Sequence, residues 1–91
     1  MTAKRLVIAG RVQGVGYRDW MVEAAAALGV SGWVCNRSDG AVEALVHGPA
    51  AAVEELLCAC RRGPRFARVD AIEEAPAEPE GVPGFRRLPT R

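Results

Sequence analysis

One histidine, two tryptophans, one tyrosine and two phenylalanines are all the imidazole and aromatic side chains in these 91 residues. His47 stands beside Gly48 with no carboxylate in a recognisable motif around it, and it is expected to be exposed and inert. Aromatics make up 5% of the chain, and Trp33 is the only one in the inner strands deduced below, so the stacking platform of an RNA-binding sheet is missing. Net charge is +1, which removes the long-range attraction that draws proteins to nucleic acids or anionic membranes. Any anion site must therefore be local. No apolar run reaches the length of a signal peptide or a membrane span. Three cysteines form an odd set without a CxxC pair, which argues against a disulfide framework. Cys58 and Cys60, two apart on a helix, point about 200° apart and cannot share a metal. The expectation is one domain spanning residues 1–91, monomeric and cytoplasmic, with reduced thiols and no metal or cofactor.

What is present is strong patterning. Residues 4–10 form a β-branched run, apolar on both faces as in a central strand. Tyr17, Trp20, Met21, Ala24, Ala25 and Leu28 follow the spacing of an amphipathic helix, and Gly29 is placed to end it. Residues 30–37 and 41–48 alternate as strands around the turn Ser38-Asp39-Gly40. Pro49 opens a second helix, Ala50 to Arg62, with Val53, Leu56, Leu57 and Cys60 on one face; Gly63-Pro64 stops it. A fourth strand is expected at about 66–74, with Ala67, Val69 and Ala71 inward. After a proline-punctuated loop, Phe85 to Leu88 makes a short edge strand. The order strand, helix, strand, strand, helix, strand is the ferredoxin-like split βαβ. It predicts an α+β two-layer sandwich, an antiparallel sheet with both helices on one face, plus the short C-terminal edge strand. Trp20, Trp33 and Cys35 are expected to pack in it, and Cys58 to face solvent.

The first strand runs into the first helix through GRVQGVGYR, residues 10–18, with three glycines around one turn. Gly14 and Gly16 can take positive φ and leave their N–H groups uncovered. Successive N–H groups in such a turn converge into an anion-binding nest, to which the following helix adds its positive end. Arg18 supplies a planar fork matched to two phosphate oxygens. A cation at a helix N-terminus is locally unfavourable unless an anion sits beside it. Asp19 and Glu23 read as a solvated first turn, and Arg37 as surface. Common phosphate motifs are absent: Gly16 is followed by Tyr17-Arg18 rather than Lys-Ser/Thr, Asp19 stands where a dinucleotide fingerprint needs its third glycine, and no cysteine has an arginine six residues on.

With these residues set out, the sequence resembles the acylphosphatase family. GRVQGVGYR is similar to that family's phosphate-binding signature and GWVCNRSDGAVE (32–43) to its second; GPA after the third strand and GPRFARV (63–69) also match its layout. The resemblance covers roughly residues 4 to 88. It implies hydrolysis of the carboxyl–phosphate bond of small acyl phosphates without metal or cofactor. It also implies that Arg18 is the essential phosphate-binding arginine and that Asn36 orients the attacking water. The phosphate site is then Arg11, Val12, Gln13, Gly14, Val15, Gly16, Tyr17 and Arg18, with Arg11 equally suited to steering an anion or to plain solvation. Tyr17 stands where phenylalanine is commoner in the family. The competing reading is a non-catalytic ferredoxin-like module that holds an anion or RNA. A domain of a larger carbamoyl-phosphate-handling protein is a third, for which this chain lacks the other domains.

Overall fold

Alternating apolar residues build the sheet and helical stripes cover it. The computed structural model describes residues 1–91, with strands β1 (Thr2–Arg11), β2 (Ser31–Asn36), β3 (Val42–Gly48), β4 (Arg68–Pro76) and β5 (Phe85–Arg87). Helix α1 (Tyr17–Leu28) connects β1 to β2, and α2 (Ala50–Arg62) connects β3 to β4. The sheet order is β4-β1-β3-β2-β5. In the row β4, β1, β3, β2 each strand is antiparallel to its neighbour, while β5 joins β2 in parallel. The ferredoxin-like sandwich with an added edge strand is thus present, and the added strand makes the sheet mixed.

The core lies between one sheet face and the two helices. Leu6, Ile8, Val34, Val42 and Val46 from the strands meet Met21 and Ala25 of α1 and Leu56 and Cys60 of α2. Full burial of one such aliphatic side chain contributes about 1.5–3 kcal/mol. The stripe of α2 is the one its sequence spacing dictates: Val53, Leu56, Leu57 and Cys60 are buried, and Cys58 is exposed. Trp33 and Cys35 are buried on the other sheet face, where the Arg91 guanidinium lies 4.6 Å from the centre of the Trp33 ring. Trp20 is only half-buried, set edge-on to Tyr17.

Strand β4 departs from expectation in both bounds and phase. Pairing with β1 runs Ala9 to Ala71 and then Gly10 to Val69, so Asp70 is left over as a bulge. The bulge turns Val69 and Ile72 inward and leaves Ala71 exposed. It also accounts for Gly10, where any side chain would strike the Arg68 carbonyl. One glycine of the three therefore serves the sheet rather than an anion. Phe66, expected at the start of this strand, lies in the preceding turn and is 69% exposed. His47 is half-buried rather than exposed, and its Nε2 is buried without a partner.

Candidate active site

The chain leaves β1 at Arg11 and enters α1 at Tyr17 through a five-residue loop. Gly14 (φ 75°) and Gly16 (φ 77°) are both left-handed, and a Cβ on either would touch nothing within 4 Å. The demand for glycine is therefore conformational, since other L-residues pay roughly 1–2 kcal/mol there. Such a turn leaves backbone donors free: no N–H from Gln13 to Arg18 bonds to another group of the protein. Gly16 caps α1 without a side-chain bond, so the positive end of the helix stays open as well.

Three anchors hold this loop. Val12 is buried in the core and Val15 packs against it. Tyr17, also buried, donates its hydroxyl to the Cys60 carbonyl at 2.6 Å, joining the two helices. Burial pushes the Tyr17 hydroxyl far above its ordinary pKa and the Cys60 thiol up to about 11. Gln13 donates its side-chain amide to the carbonyls of Arg37 (2.7 Å) and Ala41 (3.0 Å). It thereby pins the loop to the β2–β3 hairpin, which is closed by Arg37 and Ala41 and by the Asp39 carboxylate on the Ala41 N–H. That last bond, with Arg37 beside it, holds the Asp39 carboxyl below its usual range.

The hairpin carries Asn36 as the last residue of β2, and its Oδ1 is buried with no partner. A cavity of about 200 Å³ lies between Asn36 and the loop. That is smaller than a drug-sized pocket, which starts at about 300 Å³. Gly14, Gly16 and Arg18 line it with Asn36. Arg18 pairs with no carboxylate and spends one donor, Nη1, on the Leu88 carbonyl at 3.3 Å. Leu88 is in turn bonded to Val34, so the residues after β5 brace the arginine. The remaining N–H groups of the fork are free to meet an anion.

Of the residues expected at the site, Val12, Gly14, Gly16, Tyr17, Arg18 and Asn36 line the cavity. Arg11, Gln13 and Val15 do not: Arg11 is exposed at the strand end, Gln13 is turned to the hairpin and Val15 to the core. Two lining residues escaped sequence reasoning, Asp19 and Arg87, which pair at 2.7 Å. Asp19 looked like a helix-dipole residue, and nothing in Phe85-Arg86-Arg87 signals which strand it joins. His47 is at the far end of β3, five residues from the Val42–Asn36 pairing, or roughly 17 Å.

The acylphosphatase family model matches residues 4–87. The chain belongs to the acylphosphatase family. An acylphosphatase of Acidiphilium cryptum is 60% identical over 90 residues, covering 99% of each chain. One of Rhodospirillum rubrum is 57% identical over 83 residues, 91% of each. The crystal structure of acylphosphatase from Bacillus subtilis superposes with a TM-score of 0.93 at 36% identity, covering 97% of this chain and 99% of that one. Both stretches that resembled the family's signatures, 10–18 and 32–43, contribute residues to the cavity that holds Arg18 and Asn36. A non-catalytic module is no longer the competing account.

Proposed function

We propose that this acylphosphatase binds the phosphoryl group of a small acyl phosphate in the cavity between the 12–17 loop and Asn36. The free N–H groups of the loop and the Arg18 guanidinium take the equatorial oxygens, where negative charge must be stabilised during transfer to water. Asn36 offers a carbonyl oxygen to accept one hydrogen of a water and so fix the line of attack on phosphorus. The P–O bond to the acyl oxygen breaks as the water oxygen bonds to phosphorus. The acyl group leaves as a carboxylate, which needs no proton from the protein, and the water proton passes to solvent. The products are a carboxylate and inorganic phosphate. One observation carries this reading: a buried amide oxygen without a partner, on the same small cavity as a guanidinium without a counter-ion.

Net charge of +1 and scarce aromatics support a chain that binds no nucleic acid. Three free thiols, two of them buried, support a reducing cytoplasm, and the chain is taken as a monomer. No helix is long and apolar enough to cross a membrane. Phosphate release from benzoyl phosphate, set beside a phosphomonoester and repeated with chelator, tests the function. Turnover of the acyl phosphate alone, unchanged by chelator, is expected. Equal turnover of the monoester, or loss of activity with chelator, would contradict it.

A further inference from the structure

Asp19 presents a problem for the site as described. It lines the cavity in which a phosphoryl dianion is to sit, one residue beyond the arginine that should bind that dianion. A carboxylate there raises the energy of any anion that enters. Its first-turn position on α1 is favourable to the helix, but a helix dipole needs no carboxylate on a cavity wall. The structure supplies an answer from the other end of the chain. Arg87, the last residue of β5, lines the same cavity and places Nη1 2.7 Å from Asp19 Oδ1.

We propose that Arg87 is a positioning residue of the phosphate site, which acts by cancelling the charge of Asp19. The pair is open to water, with side chains 47% and 69% exposed, so it adds little to stability as an ion pair. Its effect is on the potential at the cavity. With both groups present the wall is neutral, and Arg18 with the loop amides sets the field. The fold makes this dependable, because β5 is fixed in register along β2, with Val34 beside Arg87. Arg86, the neighbouring arginine, is spent elsewhere, on Glu80. Arg87 thus belongs to substrate affinity, not to the chemical step.

The inference rests on the cavity being the phosphate site, and a charge cycle separates the two. KM for benzoyl phosphate and Ki for inorganic phosphate are measured at low ionic strength for the wild type, Arg87→Ala, Asp19→Asn and the double variant. Arg87→Ala leaves one uncompensated negative charge and is expected to raise both constants about three- to tenfold, with kcat within about twofold. Asp19→Asn leaves one positive charge and should lower both by a similar factor. The double variant, neutral again, should return to wild-type values, and high salt should compress all four together. A double variant as impaired as Arg87→Ala would overturn the proposal, because Arg87 would then act otherwise than through Asp19. Four equal sets of constants would overturn it too. Arg87→Lys, which keeps the charge, should hold KM near wild type, and thermal unfolding of each variant verifies folding. If Arg18→Ala leaves turnover intact, the phosphate-site reading itself has failed, whatever the cycle shows.

Discussion

Arg18 and Asn36 line the same cavity, one bringing a guanidinium and the other an amide. The chemistry proposed here asks them for placement, not proton transfer. Loss of one preorganised donor costs about 10²–10³ in rate. Arg18→Ala and Asn36→Ala are each expected to lower kcat/KM for benzoyl phosphate by at least that much, with unchanged thermal unfolding. Steady-state kinetics on folded variants checks this; either variant keeping most of its activity would remove that residue from the mechanism. Arg18→Lys should not rescue, because a point charge on a flexible stem replaces a braced planar fork. Arg18 stands out in the sequence through the glycine loop that precedes it, whereas Asn36 is singled out only by the family resemblance. The side chain of Gln13 was not legible in the same way. The sequence shows that a side chain adjoins the loop, but not that its amide is consumed by the carbonyls of Arg37 and Ala41.

At the level of elements, periodicity disclosed α1, α2 and β1 to β3 because each buries a regular face. Strand β4 was misphased because its bulge at Asp70 depends on how Gly10 meets Arg68 across the sheet, which no local pattern records. The direction of β5 was illegible for a similar reason, since three residues pair with either polarity equally well. β4 is held by charge as well as by its ladder: Glu74 accepts from Lys4 Nζ of β1 and from Arg61 Nη2 of α2, both at 3.0 Å. The Lys4 hydrogen bond, then the nearby positive charges, hold the Glu74 carboxyl below its ordinary 4.5. A carboxyl with a lowered folded-state pKa contributes stability that is complete above its unfolded value and is lost as pH falls through the folded one. The wild type should therefore lose melting temperature below pH 4.5 more steeply than Glu74→Gln. The difference should be under about 1 kcal/mol for so exposed a network, and thermal unfolding across acidic pH measures it. Parallel melting curves for the two proteins would deny Glu74 this role.

For the molecule as a whole, net charge is +1 and the cavity that holds Arg18 and Asn36 lies at one end of the sheet. That end is where β1 hands over to α1, where β2 turns into β3, and where the residues after β5 return to brace Arg18. The sequence displays the first two, since each is a contiguous motif. The third brings Arg87 to Asp19 across 68 residues, a relation that only the closed sheet creates. The sole imidazole lies at the opposite end of β3.

Hydrolysis of benzoyl phosphate in heavy-oxygen water, with the label traced by mass spectrometry, tests the central claim most directly. Attack on phosphorus by a water held at Asn36 places the heavy oxygen wholly in the released phosphate. Heavy oxygen in the benzoate instead would mean attack at the carbonyl, and the cavity between Arg18 and Asn36 would not be a site of phosphoryl transfer to water.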